Sequence, residues 1–334
     1  MNWVLPIIVR VLIFIVLMLA NGVVMIYMLR KVLGHLHIRL GPTELGPAGM
    51  FQTIADVLKL FTKEDITPRA VDVWLFMIAP FAVFVPSLMA YAALPFGPGL
   101  AATLLPSGLF FTFAMLGFVP IGILMAGWAS NNKWALIGGM RSVAAQIAFE
   151  VPLLLSAIGV AMIAGSIDLG KIVTAQQGYW FGPIPHWFIF VQFGGFLIYI
   201  IAAQAEISHT PFDMAEAESE LVAGFASEYS AMRFGFLFVS EFSNAFIVSA
   251  LGATLFFGGW LSGLPQPVAG WIDGPIVLMI KAYVGIFFIY WIRGTFPRIR
   301  IDQMLGFSWK GLIPAGIAWI MLTGVAVVLL RGVG

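Results

Sequence analysis

The sequence predicts an all-α, polytopic membrane protein: a single membrane domain over residues 1–334, with about eight transmembrane helices and one amphipathic helix in the membrane interface. Three observations carry this expectation. Hydrophobic residues make up 61% of the chain against 10% charged, and the mean hydropathy is +0.99. The apolar residues are gathered into runs long enough to cross a hydrocarbon core about 30 Å thick. The few charges collect in the segments between alternate runs, as loops retained on one side of a bilayer do.

Taken in order, the spans fall at about 3–29, 73–94, 108–129, 143–165, 186–205, 232–260, 275–292 and 311–330. The first resembles a secretory signal at a glance, but its early positive charge is Arg10 alone, and the run from Val11 to Leu29 exceeds a usual signal core, so it reads as a spanning helix. An even number of spans puts both termini on one side. Thirteen of the 17 Lys and Arg fall in the odd-numbered loops: Arg30, Lys31, Arg39, Lys59, Lys63 and Arg69 in the first, Lys133 and Arg141 in the third, Arg233 in the fifth, and Arg293, Arg298, Arg300 and Lys310 in the seventh. The even loops hold only Lys171. The asymmetry places the odd loops in the cytoplasm and both termini on the outer, periplasmic side. Twelve of the 16 acids share the odd-loop side, so one membrane face carries nearly all the polar chemistry.

The first of these loops has order of its own. Two Gly-Pro pairs in "RLGPTELGP" mark turns, and "AGMFQTIADVLKLFTKED" follows with Met50, Phe51, Ile54, Val57, Leu58 and Phe61 at helical spacing and Gln52, Asp56, Lys59 and Lys63 opposite. Too short and too polar to span, it reads as an interfacial helix over about 47–62, with a plain surface anchor as the competing reading.

Composition also excludes chemistry. With no cysteine the chain forms no disulfide and offers no thiolate to an iron–sulfur cluster, and its four scattered histidines give no metal-ligand spacing. Any redox metal belongs to a partner.

Two acids lie where hydropathy does not expect them: Glu150 in the fourth span, with Gln146 one turn earlier, and Glu241 in the sixth, beside Ser240, Ser243 and Asn244. An ionised acid facing lipid costs at least about 2.5–3.5 kcal/mol, so both face protein or water, either on an ion path or in an inter-helix hydrogen bond or ion pair. Between them runs "EISHTPFDMAEAESELVAGFASEYS", with Glu206, Asp213, Glu216, Glu218, Glu220 and Glu228. On a helix begun at Asp213, that residue, Glu216 and Glu220 share a stripe about 60° wide, with Glu218 nearly opposite. On a wet surface such a stripe is a solvated face. Partly buried, its carboxylates hold fewer protons than they have sites and form a proton relay.

These residues carry a resemblance. "RKVLGHLHIRLGPTELGPAGMFQTIADVLKLFTKEDITP", "PFDMAEAESELVAGFASEYS" and "WIRGTFPRIRIDQMLGFSWKGLIP" are similar, in order and over the whole chain, to three signatures of the H-subunit family of bacterial NADH–quinone oxidoreductase, respiratory complex I. The resemblance implies a multi-pass component of the bacterial inner membrane that joins other membrane-arm subunits to the peripheral quinone-module subunits. It also implies a role in an H+-translocating NADH:quinone oxidoreductase. Quinone would be a substrate bound at the interface with partners, iron–sulfur clusters and flavin would sit only in those partners, no cofactor would be covalently bound, and no nucleic acid is involved. Carried over by position, Arg39, Gly41, Pro42, Gln52, Asp56 and Lys59 match the loop and helix where quinone enters, and Phe212, Arg293 and Arg298 match residues at the peripheral contact. Glu150, Asp213, Glu216, Glu218, Glu220, Glu228 and Glu241 match the acidic proton conduit.

The sequence departs from the family pattern at Leu29, where Glu precedes Arg-Lys, at Thr43-Glu44 for Asn-Arg, at Ser208-His209 for the Asn-Arg before Pro-Phe-Asp, and at Ala148-Phe149 for the Ser-Tyr before Glu150. Most of these sit around the expected quinone chamber, which marks a divergent branch. Two other classes stand beside this reading. The membrane subunit of an energy-converting hydrogenase normally lacks the "EAESELVAGF" continuation in this form. An independent ion-coupled transporter would often be built from internal repeats, and no two halves of this chain align.

Overall fold

A computed structural model of the chain describes residues 4–100, 105–179, 185–214, 223–265 and 272–331. Seven helices among these residues are long and apolar enough to cross a membrane. In chain order the elements are α1 (Val4–Leu36), a 3-10 turn (Pro47–Gly49), α2 (Gln52–Thr62), α3 (Val73–Ala93), α4 (Gly108–Ala129), α5 (Lys133–Ala164), α6 (Leu169–Thr174), α7 (Phe193–Glu206), a second 3-10 turn (Gly224–Ala226), α8 (Ala231–Phe256), α9 (Pro275–Thr295), α10 (Ile301–Phe307), a π-turn (Ser308–Leu312) and α11 (Ile313–Arg331). The last three run as one continuous helix.

Four of the expected spans differ in extent: the first runs on to Leu36, and the last begins at Ile301, ten residues early. The one expected at 186–205 is realised as α7, a 14-residue helix. At 1.5 Å per residue it is about 21 Å long, and residues 186–192 before it are turns and irregular chain. The one expected at 143–165 begins ten residues earlier, because the Asn132 side chain accepts the Trp134 amide at 3.0 Å and caps the helix there. It ends at Gly165, whose φ of 71° is the left-handed stop that glycine takes without strain. The interfacial helix divides into the 3-10 turn at Pro47–Gly49 and α2 from Gln52.

The spanning helices pack where side chains are small. Gly122 of α4 lies so close to α3 that a Cβ would meet the Ala82 carbonyl carbon and the Val83 amide nitrogen at 2.8 Å. Proline interrupts α3 at Pro80 and Pro86, α4 at Pro120 and α5 at Pro152, which a membrane helix tolerates when its neighbours re-satisfy the freed backbone. Helix α8 is the central element, buried at every position from Phe242 to Ala250 and packed against α3, α9 and α1. Tyr91 of α3 stacks on Phe246 of α8 at 5.0 Å, and the Asn21 amide of α1 bonds the same tyrosine's hydroxyl while accepting from Tyr283 of α9 at 2.6 Å. Lys281, a charge inside a span, is spent on structure: Nζ donates to the carbonyls of Phe257, Gly259 and Leu261 at 2.6, 3.0 and 2.5 Å, closing the C-terminal end of α8.

The loops sort to two ends of the bundle. At one end the Ile66 amide donates to Ser230 Oγ at 2.9 Å, Arg233 pairs with Asp65 at 2.9 Å, the Asn132 amide donates to Glu228 at 2.9 Å, and the Ile299 amide reaches the Pro211 carbonyl at 3.1 Å. Loops one, three, five and seven therefore meet there. At the other end Leu109 bonds Ile167, Ile189 bonds Phe256, and Gly258 donates to the Gln176 side chain. Both side-chain and backbone contacts tie the loops at each end together.

Candidate functional site: an acidic cavity at the odd-loop end

At the end where the odd loops meet, a small cavity of about 40 Å³ opens between α3, α4, α5, α8 and α9. Its walls are apolar on the side of Val83, Val119 and Leu237, and polar where Gln146, Glu206, Asp213, Glu241 and Arg293 converge. Each polar group arrives on a different element. Glu206 is the last residue of α7 and 6% exposed. Asp213 lies in the connector that follows, Glu241 is the eleventh residue of α8, and Arg293 lies in the last turn of α9.

The contacts define a chain of titratable groups. Glu241 Oε1 lies 3.0 Å from His209 Nε2 and 3.8 Å from Arg293 Nη1. At that second distance unit charges attract by about 4 kcal/mol at an effective dielectric near 20, which offsets part of the cost of burying the carboxylate. His209 is 1% exposed in the connector, outside the spanning helices; its own burial pushes the imidazole well below its ordinary range, the Arg293 guanidinium adds to this, and Asp213 opposes both. Glu150 of α5 approaches the α4 backbone at Gly117, where a Cβ would sit 2.6 Å from its Oε1, so glycine makes the room for the carboxylate. Glu150 also interacts electrostatically with Glu206, and Gln146 one turn earlier donates to Ser208 at 3.4 Å. An acid on α5 is thereby joined through Glu206 to the pair on α8 and α9.

Of the residues expected from sequence, the structure brings Asp213, Glu241 and Arg293 together at this cavity, with Glu150 beside it and Phe212 buried against Phe149 at 5.2 Å. Glu228 stands apart, bonded to Asn132 in the loop layer. Arg298 is half-buried in the seventh loop. Asp213 and Met214 are not helical, and Glu216, Glu218 and Glu220, the rest of the expected stripe, lie outside the described residues.

The second group forms its own cluster on α1, the first loop and α2. Arg30 Nη1 pairs with Asp56 at 2.5 Å, the Gln52 amide reaches the same carboxylate at 3.4 Å, and Lys31 Nζ donates to the Pro42 carbonyl at 2.7 Å. Gly41 packs against α1, where a Cβ would lie 3.0 Å from the Arg30 carbonyl. Arg39 and Lys59 are exposed, and Met50, Phe51, Ile54, Leu58 and Phe61 present an uncovered apolar face. Sequence reasoning missed one group that lines the cavity, Glu206, and one that contacts it through Glu241, His209. The first counted as one of a loop's acids, and nothing in its spacing tells that it ends a buried helix. The second was visible only as a departure from a motif.

An all-helical membrane protein with an internal acidic cluster open to one end is the class this fold defines. The model of the NADH dehydrogenase family matches residues 8–324. The H subunit of NADH-quinone oxidoreductase from Geobacillus kaustophilus (strain HTA426) is 46% identical over 299 residues, 89% of this chain and 86% of the relative. Its counterparts in Brevibacillus brevis (strain 47 / JCM 6285 / NBRC 100599) and Dehalococcoides mccartyi (strain CBDB1) are 44% and 42% identical over 90% and 91% of this chain, covering 87% and 82% of their own lengths. The chain belongs to the H-subunit family of NADH-quinone oxidoreductases, and with no cysteine it contributes no thiolate-held iron–sulfur cluster to such an enzyme.

Proposed function

We propose that this chain forms the membrane side of the quinone chamber of a proton-translocating NADH–quinone oxidoreductase and begins the acidic conduit that couples quinone reduction to proton movement. Quinone is bound as a substrate at the interface with peripheral quinone-module subunits, which hold the iron–sulfur clusters and flavin, and other membrane-arm subunits flank the chain in the bilayer. Both termini face the periplasm. The observation that carries the reading is the convergence of Glu206, Asp213 and Glu241 with Arg293 on one cavity, with Glu150 within electrostatic reach. Quinone reduction consumes protons and passes through charged states. In a weakly hydrated cavity a change of one charge is felt over several ångströms, and carboxylates sharing protons answer it by redistributing them. These acids move protons; the electron chemistry belongs to partners.

Access for quinone is assigned to the Arg39–Lys59 segment, where exposed apolar side chains of α2 adjoin the Arg30–Asp56 pair. The deciding experiment is purification in mild detergent, identification of associated subunits, and measurement of NADH–quinone reduction and of the pH gradient formed per NADH in reconstituted vesicles. Glu216→Gln and Glu220→Gln each lower coupled activity several-fold in an assembled complex, and the double substitution costs more. Normal turnover and pumping in the double variant would leave the acidic segment as a solvated face.

A further inference from the structure

Beside the acids of the cavity lies a buried imidazole. The His209 imidazole lies between Glu241 of α8 and the Tyr290 ring of α9, its Nε2 3.0 Å from Glu241 Oε1 and its ring centroid 6.2 Å from that of Tyr290. Its Nδ1 is fully buried and has no hydrogen-bond partner among the described residues. Leaving a buried polar atom unpaired costs about 1–3 kcal/mol. A side chain that only needed to fill this space, or only to donate to Glu241, would avoid that cost.

The tautomer follows from the neighbours. Arg293, 3.8 Å from the same oxygen, favours the anion of Glu241 against the cost of its burial; whenever Glu241 is ionised its carboxylate only accepts, and in that state Nε2 carries the proton and Nδ1 presents a bare lone pair. The groups facing the ring are Glu241 from α8, Arg293 and Tyr290 from α9, Asp213 from the same connector, and, through Glu206 at the end of α7, Glu150 of α5.

We propose that His209 is a proton-relay residue of the acidic cavity, taking a proton at Nδ1 and handing the proton on Nε2 to Glu241. A proton from the cavity binds the Nδ1 lone pair, the Nε2–H bond breaks, and that proton bonds to Glu241 Oε1. The imidazole ends neutral as its other tautomer, the carboxylate ends neutral as an acid, and one proton has moved. Once Glu241 passes its proton on, the proton on Nδ1 is carried to Nε2 through cavity water, which restores the first tautomer without drawing a proton back from Glu241. A guanidinium at this position would keep its proton and could not exchange it in this way, so the relay depends on the imidazole of His209. The inference rests on the cavity being the coupling conduit and adds to it the group that links the connector to α8.

The test uses the purified complex carrying His209→Gln, whose amide donates to Glu241 but takes up no proton, and His209→Arg, whose guanidinium donates to Glu241 and keeps its charge. Both are expected to assemble and to keep wild-type NADH–ferricyanide activity. Coupled NADH–quinone turnover and the pH gradient per NADH are expected to fall several-fold in His209→Gln. The wild-type rate is expected to decline on acidification as the imidazole becomes permanently charged, and both variants are expected to lack that step. Wild-type turnover, pumping and pH profile in His209→Gln would reduce His209 to a structural donor. If that variant fails to assemble, an unchanged acid step in His209→Arg overturns the proposal equally. Failure of the wild-type complex to reduce quinone would instead defeat the reading of the cavity itself.

Discussion

Removing the charge of Asp56 separates a structural from a functional role for the first loop. Its carboxylate lies 2.5 Å from Arg30 Nη1, but the two side chains are 36% and 39% exposed, so water screens the pair and the contact contributes only about 0.2–1 kcal/mol. That is at most about a fivefold change in an equilibrium constant, against a domain stability of roughly 5–15 kcal/mol. Asp56→Asn keeps the side-chain volume and an oxygen for the Gln52 amide, now 3.4 Å away. Assembly is therefore expected to survive. If the Arg30–Asp56 pair borders the path of quinone, NADH–quinone reduction by the purified complex falls several-fold with a raised apparent KM for quinone, while NADH–ferricyanide reduction is unchanged. Lys59→Ala, on the exposed face one turn along, is expected to act in the same direction. Because the two charges act as a pair, Arg30→Gln combined with Asp56→Asn should cost little more than either alone. Equal loss of both activities would mean failed assembly and refute the bound on stability. Unchanged quinone kinetics would refute the placement of the quinone path.

Orientation is testable with single cysteines in this cysteine-free chain: Thr43→Cys and Gln303→Cys, both at exposed positions, are expected to react with membrane-impermeant reagent only from the cytoplasmic face, and labelling from the outer face of intact cells would invert the topology. Ser308 suits this purpose poorly, because it is fully buried with its hydroxyl on the Ala148 carbonyl. Gly122→Ala forces a methyl to within 2.8 Å of the α3 backbone and is expected to cost about 1–3 kcal/mol, read as a lowered Tm; an unchanged Tm would show that α3 and α4 separate freely. His209 resists protonation in the folded state, so the unfolded chain binds the extra proton first, and this contribution to stability, complete above pH about 6.5, is lost as the pH falls below it. Thermal unfolding of the wild-type complex should show that acid step, and His209→Gln should flatten it.

The sequence by itself determined the class, the order of the spanning segments and the polarity of the loops, because these depend on one-dimensional quantities: the length of an apolar run against bilayer thickness, and the segments in which charge accumulates. Glu150 and Glu241 were legible for the same reason, since an acid in an apolar run stands out without knowledge of its neighbours. What joins those acids was decided only by tertiary structure. Glu206 reads as a loop acid until α7 is seen to end on it inside the bundle, and His209 gains its role from Glu241, 32 residues further along the chain, and from Arg293 on a third element. Hydropathy did not foresee that α7 would be short, because the run from 186 to 205 is apolar but for His186, Gln192 and Gln204, while its first residues turn instead of coiling. Nor did spacing reveal that Glu228 binds Asn132 at the loop layer and stays apart from the cavity. Burial and pairing depend on which faces of separate helices meet, and periodicity along one helix carries no information about its neighbour.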